Sequence, residues 1–357
     1  MRFVRSRRGI LGALLIAAAL LTAGCGAQTS EQAGLYAPDL NDEYKVGGTA
    51  WQVSAESRAL MEQAFSAATA NVYRMMDRCL DPEDADWVYD ADENAMYYQG
   101  KRAAVITDID DTMVVGAGYN CDQVANDGDG NSVAFARFAM SDACTPCSGA
   151  LDFIRVCEEN GIEVFYVTNR SDKGYAIGES DSAGSYEETV GDGTGAYVGK
   201  DGAEIDASIY QCLGKSAYDI TMESMADMGF PVDDQHLILN DSYLNGSSKE
   251  PARQAITNGD ASYPNGQRAE ENTIGSAVYA AIRPHSVVML VGDTMGDFTD
   301  AFSADGLDAV SRADLTEDYA DKFGTEWIVL PNAMYGTSYS YAERYGLTEL
   351  LQHYSYR

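Results

Sequence analysis

The chain of 357 residues is 45 % hydrophobic and carries 24 Lys and Arg against 56 Asp and Glu, a formal net charge of −32. That length suits one large domain or two ordinary ones, and the apolar share supports a sizeable core rather than disorder. Such acidity disfavours nucleic acid and anionic membrane surfaces as partners, and an anionic substrate would need a local cationic pocket.

Residues 1–24 read as a targeting segment. Arg2, Arg5, Arg7 and Arg8 form a basic start. "GILGALLIAAALLTAG" (9–24) is an apolar run, short for a membrane span, that ends in small residues before Cys25. "LTAGC" resembles a bacterial lipobox, in which the cysteine is lipidated and becomes the mature N-terminus. An ordinary cleaved secretory signal with a chance cysteine is the alternative. "SRRGIL" (6–11) also resembles a twin-arginine signal, so the export route stays open. The expectation is an exported chain, lipid-anchored through Cys25 to the bacterial cell membrane on its extracytoplasmic side. Cleavage would remove four arginines, leaving 20 basic against 56 acidic side chains, a formal charge of −36. Residues 25–50, rich in Ala, Gly, Gln, Asn and acids, read as a flexible tether, with the domain from 51 to 357.

From 51 to 80, Met61, Ala64, Ala68, Val72, Met75 and Cys79 recur at helical spacing and predict a helix or helix pair packed on something larger. Five β-rich runs follow: "AAVITDI" (103–109), "IEVFYVTN" (162–169), "HLILND" (236–241), "SVVMLVGD" (286–293) and "EWIVLPN" (326–332). Each is mostly apolar, as in a sheet buried on both faces. "ALDFIRVCEENG" between the first two predicts a helix stopped by Gly161. Strands alternating with helices predict an α/β fold with an open parallel sheet. Residues 178–205 and 257–276, rich in Gly, Ser and acids, read as surface insertions.

Cys79, Cys121, Cys144, Cys147, Cys157 and Cys212 are an even set in an exported chain, so structural disulfides are expected, in a pairing left open. "CTPC" (144–147) is a lone CxxC. With three histidines and no second CxxC, zinc is disfavoured.

In an open parallel sheet, ligands bind beyond the carboxyl ends of the strands. Those ends supply Asp108, Asp110 and Asp111; Thr168, Asn169 and Arg170; Lys249 and Arg253; Asp293 and Asp297; and Pro331, Asn332 and Tyr335. Converging carboxylates need a cation, and hard oxygen ligands select Mg²⁺. A cation beside a lysine and a hydroxyl makes a receptor for a phosphoryl group. One carboxylate can then attack phosphorus, and a second, two residues on, can protonate the leaving oxygen and deprotonate water.

"DIDDT", "VTNR", the Lys249 region and "VGDTMGD" resemble the four motifs of the haloacid-dehalogenase (HAD) phosphohydrolases. "AAVITDIDDTMVVGAGY", "FYVTNRSD", "LVGDTMGDF" and "WIVLPNAMYG" narrow the resemblance to the class C bacterial acid phosphatases, lipoproteins of the 5′-nucleotidase type. The resemblance covers about 51–345 apart from the insertions. It implies a HAD-like Rossmannoid sheet with helices on both faces, and an N-terminal helical segment plus the insertions as a small cap. It implies Asp108 as nucleophile and Asp110 as general acid/base. It implies Mg²⁺ held by Asp108, the Asp110 carbonyl and Asp293, with Asp297 as ligand or close by. Thr168, Asn169 and Lys249 would bind the phosphoryl oxygens, and Phe138, Tyr335 and Tyr119 would clamp an aromatic leaving group. Substrates by resemblance are nucleoside 5′-monophosphates, nicotinamide mononucleotide or aryl phosphates, and a homodimer is plausible.

Blander roles compete. Asp111 is read as structural, at the start of the next helix. Arg170 fits an ion pair as well as a ligand, Arg253 has a structural reading, and Phe138 alone would be core. "DGDGNS" (127–132) lacks the Gly and Glu of a calcium loop. The next arginine after Cys147 is Arg155, too far for a phosphocysteine site, and His285 in "RPHS" lacks an Arg-His-Gly core. An alternative of another class is a surface binding protein or adhesin on an inactive HAD scaffold; the intact acidic set argues against it.

Overall fold

A computed structural model describes residues 47–125, 132–170, 215, 217–239, 248–260, 282–303, 307 and 309–334. In chain order these give α1 (Ala55–Cys79), β1 (Trp87–Asp90), β2 (Ala95–Tyr98), β3 (Lys101–Thr107), β4 (Val114–Val115), α2 (Ala117–Ala125) and α3 (Ser132–Ala139). Next come β5 (Thr145–Pro146), α4 (Ala150–Glu159), β6 (Glu163–Thr168), α5 (Ala217–Asp227), β7 (Leu237–Leu239), α6 (Glu250–Asn258), β8 (His285–Gly292), α7 (Ala309–Asp318) and β9 (Trp327–Val329).

β7, β6, β3, β8 and β9 pair in that order, all parallel, so the predicted α/β sheet is present. Period-2 alternation sends its side chains to two cores. Ala103, Val105, Val164, Tyr166, Leu237 and Leu239 join one cluster, with Met61, Phe65 and Val72 of α1 and Phe153 and Ile154 of α4. Ala104, Ile106, Phe165, Val167 and Ile238 join the other, with Ala252, Ala255 and Ile256 of α6. Helices therefore cover both faces.

α1 begins at Ser54, whose side chain accepts a hydrogen bond from Ser57 N. Its buried stripe of Met61, Phe65, Ala68 and Val72 follows the 3.6-residue period. Phe65 meets Phe153 at a centroid distance of 5.7 Å. Burying each such large side chain contributes about 1.5–3 kcal/mol.

Several features differ from the sequence expectation. The hairpin β1–β2 is new; it pairs antiparallel and meets the start of β3 at Tyr97↔Arg102 and Tyr98↔Lys101. Gly161 does end α4, at φ +70°, and a Cβ there would lie 2.6 Å from Asn94 O, so the hairpin also depends on this glycine. Residues 47–52 are helical, with Thr49 and Gln52 buried, so the last residues of the expected tether belong to the domain. Among the described residues no disulfide is formed: Cys79, Cys121, Cys144, Cys147 and Cys157 are free thiols. Cys144 and Cys147 flank the extended pair Thr145–Pro146, and both pack in the core as thiols. The expected signal segment, Cys25, Cys212, Tyr335, residues 178–205 and residues 261–276 lie outside the described residues.

Candidate active site

β3 ends at Thr107, and Asp108 follows with its N–H donating to Val291 O of β8 at 3.0 Å. Parallel pairing thus sets Asp108 beside the end of β8, where Asp293 begins the next turn. Asp108, Asp293 and Asp297 are 8 %, 8 % and 7 % exposed. One carboxylate oxygen from each lies within 4.8 Å of the others. Among the described residues no other acid, His or Cys group is arranged to hold a metal ion.

Each of these carboxylates is held by named donors. Asp293 accepts from Thr112 Oγ1 at 2.9 Å and from Asn332 Nδ2 at 2.5 Å. Asp297 Oδ2 accepts from Thr294 N and Thr294 Oγ1 at 2.9 and 3.1 Å, a capping box on the short turn Met295–Asp297. Gly292 makes room for this arrangement, since a Cβ there would fall 2.4 Å from Asp297 Cβ. Lys249, at the start of α6, reaches across with Nζ 2.5 Å from Asp108 Oδ1 and 2.6 Å from Asp297 Oδ1. Arg253, one turn on, donates to the carbonyls of Gly296 and Asp297 and pairs with Glu250, so its structural reading fits what it touches.

The other half of the first motif faces a different cation. Both oxygens of Asp110 accept from the Arg170 fork, Nε to Oδ2 at 2.9 Å and Nη2 to Oδ1 at 2.7 Å. Thr168 is buried and accepts from Arg170 N at 3.1 Å, while Asn169 is exposed. Asp111 is 1 % exposed and left-handed, at φ +53°. Its carboxylate accepts from Gly116 N at 2.7 Å and Gln52 Nε2 at 2.8 Å, and Gln52 in turn accepts from Asn120. It is structural as expected, but it braces a turn into β4; the next helix begins only at Ala117.

Burial leaves the site short of positive charge. Asp110 and Arg170 neutralise each other, and Lys249 supplies one charge to Asp108, Asp293 and Asp297. Burial pushes the Asp108 carboxyl up to about 6, with repulsion from Asp297 and Asp110 adding to it and Lys249 opposing. Burial, then the neighbouring carboxylates, raise the Asp293 carboxyl well above its ordinary value. Burial disfavours the Lys249 ammonium, yet Asp108 and Asp297 outweigh it and hold its pKa above the ordinary lysine value. Two uncompensated negative charges on three buried oxygen donors fit a divalent cation.

Residues 26–181 match the family described as HAD superfamily, subfamily IIIB (acid phosphatase). That stretch of the chain is similar to this family. The fold of the chain is similar to two structures of the class C acid phosphatase from Bacillus anthracis. The form with tungstate bound is 18 % identical with a TM-score of 0.53, covering 89 % of this chain and 98 % of that one. The other is 17 % identical with a TM-score of 0.52, covering 88 % and 98 %.

The candidate site thus gathers Asp108, Asp110, Thr168, Asn169, Lys249, Asp293 and Asp297 at one edge of the sheet. Phe138 is 7 % exposed and packs in the core, with ring centroids 6.2 Å from half-buried Tyr119 and 6.1 Å from Phe135. Sequence reasoning missed Gln52, Thr112, Phe135 and the steric role of Gly292. Thr112 and Gly292 stood inside quoted motifs, so their signal was present. Gln52 carried none, because its partner Asp111 lies 59 positions away.

Proposed function

We propose that the chain is a Mg²⁺-dependent phosphomonoesterase that acts through a phosphoryl group carried on Asp108. The observation that supports this best is Lys249 bridging Asp108 and Asp297 beside Asp293, with Asp110 held apart from that cluster by Arg170. An oxygen of Asp108 attacks phosphorus, and the bond from phosphorus to the leaving oxygen breaks. Asp110, which enters this step protonated, gives its proton to that oxygen and becomes the carboxylate that pairs with Arg170. Water then attacks phosphorus and passes a proton to Asp110, the bond to Asp108 breaks, and phosphate leaves. Thr168, Asn169 and Lys249 bind the phosphoryl oxygens; an oxoanion such as the tungstate bound by the Bacillus anthracis protein is the kind of ligand they suit. Asp108, Asp293, Asp297 and the Asp110 carbonyl would hold Mg²⁺, which would supply the positive charge that both the carboxylates and the transferring group require.

The substrates we infer are nucleoside 5′-monophosphates, nicotinamide mononucleotide or aryl phosphates, whose planar leaving groups suit Tyr119 and Tyr335. The lipobox supports placement on the outer face of the cell membrane, where the enzyme would release nucleosides and phosphate for uptake; a homodimer is part of this reading. Hydrolysis of p-nitrophenyl phosphate and nucleoside monophosphates, with Mg²⁺ or EDTA, tests it. Turnover should vanish in EDTA and fall at least about 1,000-fold in Asp108→Asn. Metal-independent turnover, or an Asp108→Asn variant as active as wild type, overturns the mechanism.

A further inference from the structure

We propose that Arg170 is the positioning residue for the proton-transferring carboxylate, a role that rests on Asp110 being the acid/base of the proposed reaction. The fork Nε–H and Nη2–H meets both oxygens of Asp110 at 2.9 and 2.7 Å. The pair is asymmetric in exposure: the Arg170 side chain is 5 % exposed and that of Asp110 is 25 % exposed. Arg170 is therefore the fixed member, and Asp110 is the member that reaches solvent and substrate.

Three elements build the socket. The end of β6 supplies the Arg170 backbone, whose N–H donates to Thr168 Oγ1 at 3.1 Å. α3 supplies Phe135, with its ring centroid 4.9 Å from the guanidinium carbon. α5 supplies Thr221, whose Oγ1 accepts from Nη1 at 3.4 Å and donates to Ala217 O at 2.8 Å. A cation over an aromatic face with its fork on a carboxylate has one orientation, which a lysine cannot reproduce. Each Asp110 oxygen keeps a second lone pair, so the carboxylate is fixed and can still carry the transferred proton.

Proton transfer to the leaving oxygen matters most when that oxygen is a poor leaving group. Loss of positioning therefore raises the barrier for alkyl esters and leaves esters of acidic phenols nearly untouched, whereas a general loss of structure would slow all substrates alike. The test is kcat/KM for a series of phosphomonoesters from alkyl to p-nitrophenyl, for wild type, Arg170→Ala, Arg170→Lys and Phe135→Leu. Arg170→Ala should lose about 100-fold on alkyl phosphates and less than about tenfold on p-nitrophenyl phosphate. Added guanidinium should restore part of the alkyl loss, and Arg170→Lys should not. Phe135→Leu should show a weaker form of the same selectivity, and it decides the matter if Arg170→Ala does not fold. Equal losses across the series, or a wild-type profile in both variants, overturn the role of Arg170. Wild-type turnover by Asp108→Asn in the same assay would instead strike the phosphatase mechanism itself.

Discussion

Replacing Lys249 with methionine removes one positive charge and keeps most of the apolar stem. The ammonium lies 2.5 and 2.6 Å from two buried carboxylates. At an effective dielectric of about 20, each contact is worth on the order of 6 kcal/mol of gross attraction. Most of that is offset by desolvation, and breaking a buried pair costs a net of about 3–5 kcal/mol. The metal-free variant should unfold roughly 10 °C below wild type. A divalent cation would share Asp108 and Asp297 with Lys249, so removing the lysine relieves a repulsion and strengthens cation binding. Thermal unfolding in EDTA and across a Mg²⁺ titration reads both effects. Mg²⁺ should raise the Tm of Lys249→Met more than that of wild type, while kcat/KM falls about 100-fold or more through the lost phosphoryl contact. An equal Mg²⁺ response in the two proteins would refute the shared-carboxylate geometry, and an unchanged Tm in EDTA would refute the buried ion pairs.

Gly292→Ala places a methyl group 2.4 Å from Asp297 Cβ, so Asp297 must swing out; calorimetric Mg²⁺ titration should show at least about tenfold weaker binding, with little change in the unfolding temperature. Gln52→Leu strips a donor from the buried carboxylate of Asp111 and should cost about 1–3 kcal/mol in urea unfolding; an unchanged midpoint would remove the brace. Glu163 sits between Arg102 at 2.5 Å, His285 at 2.6 Å and His236 at 3.7 Å. Burial would raise its pKa, but the two histidines and Arg102 outweigh burial and hold it below the ordinary glutamate value. This depressed carboxyl stabilises the fold above the unfolded glutamate pKa, and that stability is lost as pH falls. Burial disfavours the charged His236 ring, yet Glu163 and Asp233 outweigh it and raise its pKa. Its contribution is therefore complete below the unfolded histidine pKa and is lost as pH rises through the raised value. Both contributions overlap between about pH 4.5 and 6.5, so Tm plotted against pH should peak there for wild type and flatten in Glu163→Gln.

What the sequence disclosed and what it withheld divide along a physical line. β3, β6 and β8 were legible because strands buried on both faces read as continuous apolar runs, and a parallel sheet brings their ends together whatever lies between. Hence Asp108, Asp293 and Asp297 could be grouped although 185 positions separate Asp108 from Asp293. The β1–β2 hairpin was not legible, because "WVYD" and "AMYY" are short and half-exposed and are joined by a turn with Asn94 at φ 47° that contains no glycine. Side-chain pairings across elements were withheld for a different reason. "DIDDT" shows three like acids, and only packing separates them into a lysine-bridged Asp108, an arginine-forked Asp110 and a fully hydrogen-bonded Asp111. The repulsion implied by their spacing is thus removed by three different partners from α6, the end of β6 and the segment before α1. Each aspartate takes its chemistry from that partner: Asp108 stays beside a cation and its carboxylate neighbours, Asp110 keeps an exposed edge, and Asp111, enclosed by Gln52 and Gly116, has no route to a substrate.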